Sequence, residues 1–225
     1  MRTLTEQVNI NALRTAGQDR LNGVNRTDGS EFYIPFELDP VRDGVLYLGT
    51  DKLYRSTDRA VNWQAISGAL GGTLKSIGVP RSDPNTVYVG TNQGSFFVGT
   101  FQGGQWTFQD RTNGLPQRVL SDIAVSPTDA NVVYVVYNGF SQNTPNEPGH
   151  VFKSIDGGQN WTPLDGTGGA VIPDIPALSI LLDPDNAGHI YVGTDIGVFR
   201  SEDDGQTWIN DGVNLPPVPV FDLKY

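Results

Sequence analysis

One pattern of residues recurs four times along the 225-residue chain and restricts its fold more than any other feature of the sequence. Each copy holds an apolar run, a turn, a β-branched segment centred on a tyrosine, a second short apolar run, another turn and a tryptophan. The tyrosines are Tyr47, Tyr88, Tyr134 and Tyr191, and the tryptophans are Trp63, Trp106, Trp161 and Trp208. Tyrosine and tryptophan are separated by 16, 18, 27 and 17 residues, so the third copy carries an insertion. Four short strands in a repeat of roughly 45 residues are typical of the blade of a β-propeller.

The sequence therefore predicts an all-β protein, a β-propeller of four-stranded antiparallel blades. We label the strands of a blade A, B, C and D: A precedes the first turn, B surrounds the tyrosine, C precedes the next turn and D begins at the tryptophan. The predicted divisions are an N-terminal segment at 1–30, blades at 31–73, 74–116, 117–173 and 174–216, and a partial blade at 217–225. Runs that resemble strand A lie at 32–38, 74–79, 123–125, 178–182 and 220–225.

The fifth A-like run leaves one strand without partners, and two arrangements would supply them. Residues 1–30 could provide closing strands for a small four- or five-bladed ring; within them, residues 4–13 can be read as a helix or as a strand through Val8 and Ile10. Alternatively, the chain is part of a larger ring completed by other blades or subunits. The sequence favours the second arrangement, because an unpaired terminal strand promotes aggregation.

Composition excludes several classes of function. Fifteen basic and 25 acidic residues give a net charge of −10, which argues against nucleic acid and against an anionic membrane surface. No apolar run approaches the 18 residues of a membrane span, so direct membrane insertion is not expected. The chain has no cysteine, which excludes disulfides and thiolate zinc sites, and its two histidines are not at metal-binding spacing. We expect neither a cofactor nor a metal.

The turn between strands C and D has the same residue pattern in three blades. It reads Ser-Ile-Asp-Gly-Gly-Gln-Asn-Trp at 154–161, Ser-Glu-Asp-Asp-Gly-Gln-Thr-Trp at 201–208 and Ser-Thr-Asp-Arg-Ala-Val-Asn-Trp at 56–63. Blade two departs from the pattern, with Gly99 and Phe101 at the serine and aspartate positions. A serine and an aspartate can bind free amides in a tight turn, and a glycine permits positive φ.

This pattern resembles the Asp-box of the bacterial neuraminidase repeat propellers, a superfamily with sialidases, xyloglucan-cleaving glycosidases, sortilin-type receptors and photosystem assembly factors. The resemblance implies that the box residues support the fold on the face opposite the ligand, with the tryptophans of the three boxes buried in equivalent positions. We expect an extracytoplasmic or secreted, bacterial protein whose signal peptide is absent from this chain. The structural residues implied are Ser56, Asp58, Trp63, Ser154, Asp156, Gly158, Trp161, Ser201, Asp203, Gly205 and Trp208.

Two functions remain open: a non-catalytic scaffold that presents loops to a protein or a carbohydrate, and a fragment of a glycoside hydrolase. Sialidase activity is disfavoured, because the family's Phe-Arg-Ile-Pro segment is matched by 32–35 with Tyr33 in place of arginine. A hydrolase would use two carboxylates roughly 5 to 10 Å apart. Asp51, Asp174 and Asp195 follow strands on the face expected to bind ligand, although no catalytic residue can be assigned.

The insertion in blade three is the strongest candidate for a binding loop. It spans residues 138–150, between strands B and C, and we call it the insertion loop. Loops on a rigid scaffold concentrate binding residues, although a neutral insertion would look the same. The candidate binding residues are Asn138, Phe140, Asn143, Asn146 and His150.

Overall fold

The computed structural model describes residues 21–212 and 216–225 and folds as four four-stranded antiparallel sheets, with no α-helix in these ranges. In every sheet, strands A to D lie side by side in chain order. Blade one contains β1 (Phe36–Leu38), β2 (Leu46–Gly49), β3 (Leu53–Ser56) and β4 (Gln64–Ala65). Blade two contains β5 (Leu74–Gly78), β6 (Thr86–Thr91), β7 (Phe96–Gln102) and β8 (Gln105–Asp110).

Blades three and four repeat the arrangement with one addition. Blade three contains β9 (Leu120–Val125), β10 (Val133–Tyr137), β11 (Val151–Ser154) and β12 (Thr162–Pro163). A small hairpin of β13 (Gly166–Thr167) and β14 (Ala170–Val171) follows it, and a 3-10 turn spans Ser141–Asn143. Blade four contains β15 (Ala177–Leu182), β16 (Ile190–Thr194), β17 (Gly197–Ser201) and β18 (Ile209–Asn210).

The hydrophobic core lies between the sheets. Tyr47 of blade one packs with Leu74 of blade two, and Tyr88 of blade two packs with Leu120 of blade three. Tyr134 of blade three packs in the same way with residues of blade four. Each sheet thus buries one face against the next, as the blades of a propeller do, and the predicted fold class is confirmed.

The turns between strands A and B owe their shape to short polar side chains. The carboxylate of Asp39 accepts hydrogen bonds from the amides of Val41 and Arg42, at 3.0 and 2.8 Å. Asp83 and Asp183 make the equivalent contacts in blades two and four. An aspartate before a proline therefore closes the turn that the sequence predicts there.

The structure differs from the sequence prediction at both flanking strands. Strand A of blade one begins at Phe36 and not at Phe32, because Phe32 and Tyr33 lie in solvent; Pro35 only accepts a hydrogen bond from the Gly49 amide of β2 at 2.9 Å. Among residues 21–212 and 216–225, the segment 220–225 forms no strand of a sheet, although the Val220 amide donates to Thr194 O of blade four at 3.0 Å. The N-terminal prediction at 4–13 lies outside the described residues.

Candidate functional site

Strands that alternate in direction place their connections on two opposite faces of the molecule. We call one the loop face: it holds the turns between strands B and C and the connections from each blade to the next. The other, the box face, holds the turns between strands A and B and between strands C and D. The candidate carboxylates and the insertion loop belong to the loop face, and the Ser-x-Asp turns belong to the box face.

The three Ser-x-Asp turns of the box face share one hydrogen-bond network. In blade three, Ser154 Oγ donates to Asp156 Oδ1 at 2.8 Å and accepts from the Gly158 amide at 2.8 Å. The Asn160 amide and side chain donate to the same carboxylate at 2.9 and 2.7 Å. These hydrogen bonds, led by the Asn160 side chain, lower the pKa of Asp156 to about 2. The corresponding contacts occur in blades one and four.

The fifth residue of each of these turns has a left-handed backbone. Its φ is 86° at Gly158, 85° at Gly205 and 63° at Ala60. A β-carbon on Gly158 would lie 2.8 Å from the Phe96 ring. Glycine is therefore required in blade three, whereas blade one carries the backbone strain of an alanine at positive φ.

Two of the three box tryptophans are buried as predicted, and the third is not. Trp63 and Trp208 are buried, whereas Trp161 is half-buried. The indole N–H of Trp208 donates to Leu164 O of the preceding blade, and that of Trp161 donates to Arg111 O. Arg111 contacts the turn of blade three at the position where Leu164 contacts the turn of blade four. The Arg111 side chain covers Trp161 less completely than the leucine side chain covers Trp208, so Trp161 stays partly exposed.

Blade two connects strands C and D without the Ser-x-Asp network. Gly103 and Gly104 both have positive φ, 61° and 83°, which gives the tight two-residue turn typical of a β-hairpin. Phe101 pairs with Trp106 across this hairpin, with ring centroids 5.4 Å apart. Backbone hydrogen bonds between β7 and β8 continue up to this turn and hold it in place. The serine and aspartate of the other three blades are therefore not needed here.

The insertion loop of the loop face is anchored at both ends. The buried Arg118 side chain donates to Gly139 O at 3.1 Å and to Gly149 O. In the 3-10 turn, the amide and hydroxyl of Ser141 both donate to the Asp174 carboxylate at 2.7 Å. These two hydrogen bonds, first of all that from the amide, hold the pKa of Asp174 below its usual range.

His150 lies beneath the insertion loop rather than on its surface. It is buried, and its Nε2 lies 3.2 Å from Asp174 Oδ1 without the alignment of a hydrogen bond. Its backbone N–H donates to Asp165 Oδ1 at 2.9 Å. Of the candidate binding residues, Phe140, Asn143 and Asn146 are exposed and Asn138 is half-buried. Phe140 keeps 43% of its surface in solvent.

The three candidate carboxylates lie on different connections of the loop face. Asp51 follows β2 and Asp195 follows β16, whereas Asp174 precedes β15 and is engaged by the insertion loop. The Asp51 carbonyl also accepts the Leu70 amide at 3.0 Å, which joins two connections of blade one. Among residues 21–212 and 216–225, no three His, Asp or Glu side chains converge as a metal site would require.

An exposed aromatic pair on the loop face was not among the predicted site residues. Phe32 and Tyr33 are 88% and 66% exposed, and their rings meet edge to face with centroids 4.9 Å apart. The neighbouring Glu31 carboxylate accepts from Thr73 and Lys75, which fixes this segment above blades one and two. The sequence predicts that these two aromatics begin strand A. Pro35 is the signal against that prediction, because a proline has no N–H to donate to a neighbouring strand and is found at the first position or the edge of a strand.

No helix in the described part of the chain is long and apolar enough to cross a bilayer.

Part of a known enzyme is similar to this chain in sequence. A probable oligoxyloglucan-reducing end-specific xyloglucanase of Neosartorya fischeri is 27% identical over 191 residues, covering 75% of this chain and 22% of that protein. The chain therefore spans about a fifth of the length of this curated relative.

Solved structures show the same fold at lower sequence identity. The GH74 xyloglucanase from Xanthomonas campestris superposes with a TM-score of 0.63 at 21% identity, covering 84% of this chain and 31% of that one. YCF48 bound to D1 peptide superposes with a TM-score of 0.54 at 20% identity, covering 86% and 58%. Residues 40–221 match the family model described as DUF6242 beta propeller domain, and the chain therefore belongs to that family.

Proposed function

We propose that this chain is a non-catalytic propeller module that binds a neutral polysaccharide on its loop face. The observation that carries the proposal is the anchored insertion loop, which presents an exposed phenylalanine and several amides on a rigid support. Arg118 and Asp174 hold the loop backbone in place, so a ligand would not have to order it.

The exposed side chains have the chemistry that sugars require. An aromatic ring can stack on the apolar face of a pyranose, and amide groups can pair with hydroxyls in both directions. Phe140 with the exposed Asn143 and Asn146 would form one such contact. Phe32 and Tyr33 on the same face would form a second aromatic contact.

The charge of the chain favours an uncharged ligand. At a net charge of −10, a polyanionic glycan would be repelled. The name of the xyloglucanase relative also supports xyloglucan, a neutral polysaccharide, as the first probe. Such polymers lie outside cells, which supports the expected extracytoplasmic location.

The state of Asp174 argues against a role for this residue as a general acid. A general acid must hold a proton near neutral pH, which requires a raised pKa. The pKa of Asp174 is instead lowered by its hydrogen bonds to Ser141. This carboxylate is suited to anchoring a loop.

Isothermal titration with soluble xyloglucan tests the proposal. Phe140→Ala should weaken binding by roughly 5-fold to 100-fold, since the comparable stacking of a nucleic-acid base on an aromatic side chain is worth roughly 1 to 3 kcal/mol. Ile155→Ala is the matched control, because Ile155 is 70% exposed on the box face. Equal binding by wild type and Phe140→Ala, or equal binding of polygalacturonate and xyloglucan, would contradict the proposal.

A second candidate is a hydrolase of which this chain is a part, favoured by the relative's name. Release of reducing ends from xyloglucan, abolished by Asp51→Asn or Asp195→Asn, would establish it. The remaining alternative is a protein ligand, because one structural neighbour, YCF48, is bound to a peptide. A pull-down with and without xyloglucan as competitor would distinguish a protein ligand from a glycan.

A further inference from the structure

A cavity of about 250 Å³ lies on the box face between blades two and three, and we call it the box-face cavity. Its lining includes the buried Tyr88 of β6, together with Asp83 and Asp129 from the turns between strands A and B of the two blades. The Tyr88 hydroxyl donates to Ala130 O at 2.7 Å and can still accept a hydrogen bond from a further donor. Burial raises the pKa of Tyr88 to about 12, and the negative charges of Asp83 and Asp129 add to the effect. Both carboxylates therefore act on the same hydroxyl.

The two carboxylates of this cavity are held by neutral donors. Asp83 Oδ2 accepts from Thr86 Oγ1 at 2.6 Å, and Asp129 Oδ1 accepts from the Asn131 amide at 2.9 Å. Among residues 21–212 and 216–225, neither aspartate forms an ion pair. Arg81, two residues before Asp83, is exposed and does not line the cavity. The cavity thus carries two negative charges that the chain does not neutralise there.

The equivalent position between blades one and two holds a guanidinium group. The Arg42 side chain donates to Asp39 Oδ2 at 2.7 Å and to the Tyr47 hydroxyl at 2.9 Å. It also donates to Pro84 O, in the turn between strands A and B of blade two. These three acceptors have counterparts at the same places in the next repeat, namely Asp83, Tyr88 and Ala130. The acceptors of a guanidinium site are therefore repeated between blades two and three, without the guanidinium.

Blade three also covers its tyrosine with a cation, which strand C supplies. Lys153 of β11 lies opposite Tyr134 in the ladder, with its ammonium 5.2 Å from the centre of that ring. The same ammonium pairs with Asp204 of blade four. In blade two, the residue opposite Tyr88 is Val98 of β7. Strand C therefore provides no cation at the box-face cavity.

A glycine leaves space on the blade-three side of the cavity. The Gly157 amide donates to Asn131 O at 3.0 Å, as the Asp204 amide donates to Gly188 O one blade later at 2.9 Å. Gly157 thus has the place that Asp204 has in blade four. A β-carbon on Gly157 would lie 3.6 Å from Tyr88 Oη, so a longer side chain at this place would extend towards the cavity. The repeat supplies side chains here at the neighbouring boundaries and omits them between blades two and three.

We propose that the box-face cavity binds a guanidinium group, carried by an arginine side chain of a partner protein or by a small guanidinium compound. A guanidinium donates N–H groups in a fixed planar fork and is weakly hydrated, which suits carboxylates from two turns and a tyrosine hydroxyl. Arg42 makes this set of contacts one blade earlier. The net charge of −10 adds a long-range attraction for a cation. The site is independent of the polysaccharide site, which lies on the loop face.

Titration of the isotopically labelled full chain with Nα-acetyl-arginine amide, followed by amide chemical shifts, tests the proposal. We expect saturable shifts at Thr86, Tyr88 and Asn131. The citrulline analogue has the same shape without the charge and should not produce them. Asp83→Asn and Asp129→Asn should each weaken binding by about fivefold, since each removes one charged partner of the ligand.

Two further variants separate a loss of binding from a loss of fold. Asp183→Asn is the matched control, because Asp183 closes the same turn in blade four, away from the cavity, and binding should be unchanged. Val98→Lys places a cation opposite Tyr88, in the arrangement that blade three already has. It should abolish binding while the amide spectrum remains that of a folded chain.

A short acetylated arginine peptide distinguishes the two sources of the guanidinium. Tighter binding of the peptide than of the amino-acid derivative would support a protein partner, and equal binding would support a small compound. Three results would overturn the proposal: no saturable shifts at the cavity amides, equal shifts with the citrulline analogue, or undiminished binding by both aspartate variants. Full binding by Val98→Lys would also reject the assigned place of the guanidinium.

Discussion

At the scale of single residues, the box-face turns show how one carboxylate organises a tight connection. Asp156 accepts hydrogen bonds from Ser154 and from the Asn160 amide and side chain, all within its own turn. Without it, these donors would lose their acceptor within the turn. We propose that Asp156, with Asp58 and Asp203, serves the fold and not the ligand.

We predict that Asp156→Ala lowers the free energy of unfolding by about 1 kcal/mol at pH 7, as removal of a capping acceptor does. The folded pKa of about 2 lies below the usual 3.8, so this contribution is present above about pH 4 and lost as the pH falls towards 2. Urea unfolding at pH 7 and at pH 2.5 should therefore show a smaller difference between variant and wild type in acid. A loss of polysaccharide binding with unchanged stability would reverse the proposed roles.

At the scale of elements, the insertion loop is held by three residues that lie outside it, on the segments before β9, after β12 and before β15. Arg118 precedes β9, Asp165 follows β12 and Asp174 precedes β15. None of them is near the loop in sequence. The loop thus behaves as an ordered part of the blade, with only its outer side chains free to bind.

We predict that Asp174→Ala releases the 3-10 turn, because both Ser141 donors lose their acceptor. Hydrogen exchange of amides in 139–149 should accelerate by about tenfold, measured by mass spectrometry. Asp195→Ala is the control, since Asp195 lies in the turn between β16 and β17. Unchanged exchange in the Asp174 variant would show that Arg118 and Asp165 hold the loop without it.

At the scale of the whole molecule, polar side chains join the inner strands across the blades. Asp122 of β9 accepts from Ser76 Oγ of β5 at 2.9 Å and from the Ile180 amide of β15 at 3.1 Å. Burial raises the pKa of Glu37 to about 7 despite Lys224, and the negative charges of Asp122 and Asp222 add to the effect. The inner strands are therefore coupled to solution pH through a carboxyl group.

We predict that Glu37→Gln raises the free energy of unfolding at pH 8 by about 1 to 3 kcal/mol and changes it little at pH 4. A carboxyl whose folded pKa exceeds its unfolded value of 4.5 binds its proton more tightly when folded, so stability falls as the pH rises from about 4.5 to 7. Chemical denaturation at the two pH values measures the effect. The control is Glu202→Gln, which should change stability little at either pH because Glu202 forms an exposed ion pair with Arg200. An equal gain in stability at pH 4 and pH 8 for Glu37→Gln would contradict the prediction.

Much of the fold could be read from residues close together in sequence. Strands around Tyr47, Tyr88, Tyr134 and Tyr191 follow from alternating β-branched runs, and the turns follow from aspartate, serine, proline and glycine at fixed offsets. Both signals depend on interactions within a few residues. The sequence alone therefore determined the strands around the four tyrosines, the four blades and the place of the insertion loop.

Tertiary structure decided which side chains are presented and which are buried. His150, predicted to bind, lies beneath the loop, whereas Phe32, predicted to lie in a strand, is exposed. Trp161 stays half-buried because Arg111, 50 residues earlier, covers it in place of a leucine. In each case the exposure of the side chain depends on residues that are distant in sequence and meet only when the blades pack together. The periodicity within a single strand contains no information about those residues.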